Sequence, residues 1–468
     1  MYYKLKPQYL LRGWDLLPTG IINRETGAFA FLPPELYQVL RRCNGMLRAE
    51  SPLFTPQQRL DMEKLRKMDL VEVREQPSAL EPRQVYKKYN NRFLHTAQLS
   101  ITGKCNCHCR HCYMSATEAA LGELSHDQCL DIIDQLAECG VQSVALTGGE
   151  PLVRKDFWQL VDHLLAQDIQ VDSIMTNGLL VDANFLQKLK KRGMHNTAIV
   201  ISFDGIGHHD WLRGMPGLEQ KVLSDFALCH QQGFKTRALF CLYKDNMKSL
   251  GETVSKLGAL GVSNLHVSRL SIEGNALQIR EQAISREQEY QTYLDFLPEY
   301  IKTGVVMPVQ LSGFFAAYDK TGYYIPQVKL PEKQEVDDCC LCGSARDGVH
   351  ITADGRITPC PPLGNLHSAH LQFPNFASAR LRDALTASTY LKFITAQVGE
   401  YFAKNAQCAA CEYRNRCAGG CRGRAFMDAG EKNFWEIDQD ACHFFKDGWY
   451  ERLTKLMEQL QVKLLTAV

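Results

Sequence analysis

Apolar residues recur along this chain at two spacings. Between residues 96 and 275, short apolar runs alternate six times with stretches whose apolar positions repeat every three to four residues. The runs, at 96–103, 143–148, 171–176, 197–203, 235–243 and 264–270, predict strands. The stretches between them predict amphipathic helices. In Ser125–Cys139, Ser125 is placed as the N-cap and Gln128 completes a capping box. Six strand–helix units in succession predict an α/β fold, with a parallel sheet curled into a partial, TIM-like (β/α)6 barrel. Chemistry in such a barrel belongs at the C-terminal ends of its strands.

The flanks follow other patterns. In the first unit, YLLRGW (9–14) and the alternating TGAFAFL (26–32) predict strands. Pro34–Cys43 predicts a helix with Leu36, Val39, Leu40 and Cys43 on one face, stopping near Gly45. A second helix opens with Thr55 as N-cap, Pro56 in the first turn and Gln58 closing a capping box. After the barrel, a charged helix from 276 leads into VVMPVQLSGFF (305–315) and a Tyr- and Pro-containing linker with little pattern. Near the end, Trp449, Leu453, Leu456, Leu460 and Leu464 share one face of an amphipathic helix. Domain boundaries are therefore placed at 1–90, 91–305, 306–445 and 446–468.

Composition narrows the chemistry. With 53 Lys and Arg against 52 Asp and Glu, there is no global field to recruit nucleic acid or an anionic membrane. The start, MYYKLKPQYLLRGWDLL, lacks a signal-peptide core, and no uncharged apolar run is long enough to span a bilayer, so the expected location is the cytoplasm. Thirteen of the eighteen cysteines cluster at 105–112, 339–360 and 408–442, a grouping that predicts metal ligands rather than disulfides in a reducing compartment. The isolated Cys43, Cys129, Cys139 and Cys229 fall on apolar helix stripes and are predicted to pack.

The first group spaces Cys105, Cys109 and Cys112 as C-x3-C-x2-C. Three thiolates on one loop can hold three irons of a [4Fe–4S] cube and leave the fourth open to a chelating cofactor. A zinc knuckle is the competing reading, but zinc loops usually pair C-x2-C with a second such pair. Thr147-Gly148-Gly149-Glu150-Pro151 ends the second predicted strand, at the same end of the barrel. The two features together resemble the radical S-adenosylmethionine (SAM) enzymes. The resemblance implies that the cluster passes one electron to bound SAM, and that the resulting 5′-deoxyadenosyl radical abstracts hydrogen from an unactivated C–H bond. It gives Cys107 no ligand role. It sets Gly148 and Gly149 against the amino group of SAM with Glu150 nearby, puts Asn177 of the MTNG strand end on the same rim, and assigns the SAM carboxylate to Ser202 and Arg213. A loop salt bridge is the alternative for Arg213.

Downstream, Cys408-x2-Cys411-x5-Cys417-x3-Cys421 is followed by Cys442, and Cys342 precedes Gly355-x4-Cys360. This pattern resembles the seven-cysteine SPASM extension. The resemblance implies two auxiliary [4Fe–4S] clusters, three in all with the first. Cys408, Cys411, Cys417 and Cys442 would bind one; Cys342, Cys360 and Cys421 would bind the other, nearer the active site. Cys339 is the choice for its fourth ligand, with Cys340 or an open iron as alternatives. Two zinc sites would fold such a domain equally well.

The N-terminal unit resembles the winged-helix recognition domain of enzymes that modify ribosomally made peptides, which implies a leader peptide bound as an added strand. A DNA-binding winged helix and a packing cap are the alternatives. Together the resemblances imply a maturase that forms a thioether or carbon crosslink in a precursor peptide. Its electrons would come from a one-electron donor such as flavodoxin or ferredoxin, with no membrane or nucleic-acid partner. Formylglycine formation, as in anaerobic sulfatase maturation, is a second reading. Against it stand the N-terminal unit and Pro361, which follows Cys360 where those enzymes carry an acidic residue. Peptide epimerisation is a third, with Cys241 on the fifth strand as a speculative hydrogen donor, although core packing suits a strand cysteine better. The remaining reading is a non-catalytic zinc protein that binds peptide or DNA.

Overall fold

The structure is a computed structural model that describes residues 1–14, 19–26, 28–89, 95–116, 120–304, 307–317, 322–329, 335–342, 348–365, 372–428 and 433–465. Its first unit is built from β1 (Tyr2–Leu5), β2 (Tyr9–Gly13), β3 (Gly20–Asn23), β4 (Phe29–Phe31), α1 (Pro34–Arg42), β5 (Asn44–Arg48), α2 (Pro56–Lys67), β6 (Val71–Arg74) and β7 (Lys87–Lys88). β1 lies between β5 and β6, antiparallel to both. α1 and α2 pack with this sheet around a core of Leu5, Val39, Leu40, Cys43, Met62 and Leu65. The capping box that opens α2 is formed: Gln58 N donates to Thr55 Oγ1 at 3.2 Å and Thr55 N to Gln58 Oε1 at 3.1 Å. Such a cap contributes about 1 kcal/mol.

The six expected barrel strands are β8 (Thr96–Ser100), β9 (Ser143–Thr147), β10 (Gln170–Thr176), β11 (Ala198–Ser202), β12 (Thr236–Leu242) and β13 (Asn264–Arg269). They pair in parallel in chain order, β8 through β13. Between them run α3 (His126–Glu138), α4 (Phe157–Ala166), α5 (Ala183–Lys191), α6 (His209–Arg213), α7 (Leu218–Gln231) and α8 (Leu250–Ala259). Residues such as Ile132, Leu160, Leu189, Phe226 and Leu257 bury the helix faces against Leu99, Leu146, Ile174, Ile199 and Leu265 of the strands.

The sheet continues past both expected edges. Beyond α9 (Arg286–Lys302), β14 (Val309–Leu311) pairs in parallel with β13, and β15 (Phe315–Ala317) and β16 (Gly322–Tyr324) follow antiparallel. On the opposite edge β17 (Gly348–Ile351) pairs in parallel with β8, and β18 (Ile357–Thr358) folds back on it. An incomplete barrel leaves rows of unpaired N–H and C=O groups on its first and last strands, and these later segments satisfy them. The expected C-terminal helix is corrected in length. It spans Trp449–Gln459, and Gln461, at φ 58, turns the chain away. Leu464 therefore lies exposed in β19 (Lys463–Leu464), paired with β16, rather than on the helix face with Trp449 and Leu453.

Candidate active site

The cysteine loop leaves the C-terminal end of β8, the 147–151 turn leaves that of β9, and the two lie against each other. Gly149 N donates to Thr102 O and Glu150 N to Lys104 O, each at 2.8 Å. A Cβ at Gly148 would stand 2.3 Å from Thr102 O, and one at Gly149 would stand 2.2 Å from Lys104 O. The close approach that these glycines permit is thus to the backbone of the cysteine loop itself.

Glu150 braces neighbouring strand ends. It is fully buried; Oε1 accepts from Thr176 Oγ1 at 2.9 Å and Leu152 N at 3.1 Å, and Oε2 accepts from Asn177 N at 2.7 Å. Asn177 in turn donates from Nδ2 to Asn106 Oδ1 at 2.8 Å and faces Cys105 Sγ at 3.8 Å. Burial pushes the Glu150 carboxyl up to about 7, against the pull of its donors. Across the window from 4.5 to about 7 the folded chain therefore holds a proton that the unfolded chain has lost, so this group weakens stability as pH rises through it. Glu150→Gln is expected to remove that dependence and to leave one N–H donor without an acceptor, at a cost of about 1–3 kcal/mol. Urea unfolding on either side of the window measures both.

Arg213 forms a salt bridge, the alternative that the sequence left open for it, with Asp204 as the partner. Its Nε and Nη2 grip Asp204 at 2.6 and 3.2 Å, and its Nη1 faces Cys109 Sγ at 3.8 Å. Asp204 is fully buried and also accepts from Cys241 N at 3.0 Å, with His209 Nδ1 at 3.1 Å. Burial opposes its ionisation, but Arg213 and His209 outweigh burial and hold the carboxyl well below the usual aspartate range. Ser202 stands half-buried at the end of β11. Cys241 packs against Leu212, Tyr243 and Leu270, and burial pushes its thiol far up.

Each of the three spaced cysteines meets an N–H group. Cys107 N points to Cys105 Sγ at 3.4 Å, Ala116 N to Cys112 Sγ at 3.3 Å, and Arg213 Nη1 to Cys109 Sγ at 3.8 Å. The buried Cys107 thiol is hydrogen-bonded to both Cys105 and Cys109, and together with Arg213 lowers the Cys109 thiol to about 6 despite burial. Donors turned on sulfur favour the thiolate, the form that binds iron, so this donor set fits an iron–sulfur cluster. The loop is pinned from outside by residues that the sequence did not flag. Asn275 N donates to Cys112 O at 2.9 Å and its Nδ2 to Cys109 O at 3.2 Å. Arg154, paired with Asp156, reaches Ile101 O and Leu124 O.

Four downstream cysteines, Cys408, Cys411, Cys417 and Cys442, line a single cavity. Cys360 is pushed up to about 12 by burial and by the neighbouring thiolates of Cys421 and Cys342, which places those three together. Cys340 Sγ donates to the carbonyls of Cys342 at 3.5 Å and Ile394 at 3.4 Å. Among the described residues, no three Cys, His, Asp or Glu side chains converge as a single metal ion would require.

The Radical SAM superfamily matches residues 99–257, and the SPASM iron–sulfur cluster-binding domain matches residues 340–412. The chain thus carries a radical SAM domain followed by a SPASM domain. SAM and iron–sulfur clusters are the cofactors these domains imply. The enzyme is 27% identical over 338 residues to an AdoMet-dependent heme synthase of Oleidesulfovibrio alaskensis, covering 70% of this chain and 83% of that protein. It is 25% identical over 347 residues to a PqqA peptide cyclase of Granulibacter bethesdensis, covering 73% and 85%. Its fold is similar to that of Streptococcus suis SuiB bound to precursor peptide SuiA, with a TM-score of 0.67, 15% identity, and coverage of 94% of this chain and 99% of that one. No helix among the described residues is long and apolar enough to cross a membrane.

Proposed function

We propose that this radical SAM enzyme is a peptide maturase that crosslinks a ribosomally made precursor, with residues 1–89 holding the leader. The observation that carries the reading is the N-terminal unit. The fold shared with SuiB, a protein seen with its precursor peptide, spans 94% of this chain, too much to leave out an 89-residue unit. The identity to a peptide cyclase supports the same substrate class.

Bound on the cluster loop, SAM supplies a 5′-deoxyadenosyl radical able to take hydrogen from a C–H bond. Cys105, Cys109 and Cys112 hold the metal, Glu150 and Asn177 fix their loop against the strand ends, and Ser202 with the Asp204-bound Arg213 meets the SAM carboxylate. Cys408, Cys411, Cys417 and Cys442 hold one auxiliary cluster, and Cys342, Cys360 and Cys421, with Cys339, hold another. A cavity of about 850 Å3 joins all three units, lined by Gln8 and Arg24, by Gln98 and Ala145 of the barrel, and by His350 and Cys360. That breadth suits an extended substrate.

Removing residues 1–89 is expected to weaken binding of a precursor peptide encoded beside this chain by tenfold or more. Uncoupled SAM cleavage should stay intact. Unchanged precursor affinity in the truncated enzyme would refute leader binding. The product mass separates outcomes, since crosslinking removes two hydrogens and epimerisation removes none. Porphyrin chemistry is a second reading, favoured by the 27% identity to a heme synthase. An absorbance titration with an iron porphyrin, showing saturable binding where the peptide shows none, would select it instead.

A further inference from the structure

The turn between Cys417 and Cys421 joins thiols assigned above to different auxiliary clusters, and it is built in an uncommon way. Ala418, Gly419 and Gly420 take positive φ in succession, at 45, 82 and 69. Left-handed backbone is costly for alanine, so the surroundings must hold this turn in place. Two cations do so, the buried Arg422 and the half-buried Lys329. Arg422 donates to Gly419 O and Lys329 to Gly420 O. Lys329 Nζ donates as well to Leu341 O at 3.2 Å, and the Lys329 backbone N–H is tied to Arg416 O at 2.8 Å.

Gly420 and Leu341 immediately precede Cys421 and Cys342, so one ammonium is fixed beside two thiols of the same assigned cluster. Cys417, of the other set, faces it too. Among the described residues no carboxylate pairs with Lys329. Burial lowers its pKa from the ordinary lysine value, while the thiolates of Cys421, Cys342 and Cys417 oppose that shift.

We propose that Lys329 is a positioning residue that compensates cluster charge, raising the reduction potential of the auxiliary cluster held by Cys342, Cys360 and Cys421. The inference rests on the cluster assignment proposed above. Reduction adds one negative charge to a cube already made anionic by its thiolates. A cation fixed beside the cube therefore stabilises the reduced form more than the oxidised one. The consequence fits the proposed chemistry. When a carbon radical on the substrate closes its new bond to sulfur or carbon, one electron and one proton leave. The oxidised cluster takes the electron and the proton passes to water.

The test is a potentiometric titration, followed by electron paramagnetic resonance, of anaerobically reconstituted enzyme carrying Lys329→Met, Lys329→Gln or Lys329→Arg. In the Met and Gln variants the auxiliary signal is expected to move at least tenfold in its reduced-to-oxidised ratio, about 59 mV more negative for one electron. Lys329→Arg should stay near wild type, and the SAM-responsive signal should not move in any variant. Wild-type auxiliary potentials in the Met and Gln variants, with full iron content, would overturn the proposal. Should both neutral variants lose auxiliary iron while Arg retains it, the need for charge is upheld. Loss in Arg as well makes the side chain a packing device and overturns the proposal. Iron content of the wild type separates the two levels of failure: if auxiliary cubes are missing there, the cluster assignment falls first.

Discussion

Cys105→Ala is expected to abolish reductive cleavage of SAM and to remove about four of about twelve irons per chain, the content of one cube in three. The argument is geometric as well as chemical. Cys105 Sγ faces Cys107 N at 3.4 Å and Asn177 Nδ2 at 3.8 Å, so two strand-end elements aim donors at this one sulfur. Alanine leaves those donors in place with no ligand to receive them. Dithionite-reduced enzyme assayed for 5′-deoxyadenosine measures the loss directly, and cleavage at wild-type rate would overturn the assignment of this loop. Cys360→Ala is the matched control. It lies on the far cavity wall among Cys342 and Cys421, so it should spare SAM cleavage and impair only turnover of the peptide.

Asp204→Ala is expected to destabilise the enzyme by about 3–5 kcal/mol, because it strands the buried Arg213 guanidinium without a counter-charge. The same change frees Cys241 N and loosens α6, whose Leu212 carbonyl holds Arg110 N of the cysteine loop at 2.8 Å. SAM cleavage should fall with it. Denaturant unfolding reads the stability term, and wild-type stability would show that the Asp204 hub is not formed. Leucine at both Asp204 and Arg213 should recover part of the loss, since it removes both buried charges. The sign of the pH dependence also follows. The folded carboxyl is held below its ordinary value of 3.8, so its contribution is present above that pH and is lost as pH falls through the lower folded value.

The barrel was legible because short apolar runs alternate with amphipathic helices, and each predicted run overlaps an observed strand. β14 was not legible: three residues with Gln310 at the centre carry no apolar run, and the strand exists because β13 offers an open edge. β1, β3, β5 and β6 are equally short, at four to five residues, so packing on α1 and α2 decides them rather than local pattern. The grouped cysteines stood out by spacing alone. What held them did not. Asn275 and Arg154 act through contacts with Cys112 O and Leu124 O that lie far apart in sequence, Asp204 through an ion pair with Arg213 across a loop, and no periodicity encodes such partners. Arg213 shows the same limit from the other side, since its position was found but its partner was not.

Electron paramagnetic resonance of anaerobically reduced wild-type enzyme, recorded before and after adding SAM, tests the central claim most directly. The account predicts that one cluster signal changes shape when SAM arrives, that the change vanishes in Cys105→Ala, and that it persists in Cys360→Ala. Spectra that SAM leaves unaltered in the fully loaded wild-type enzyme would contradict it.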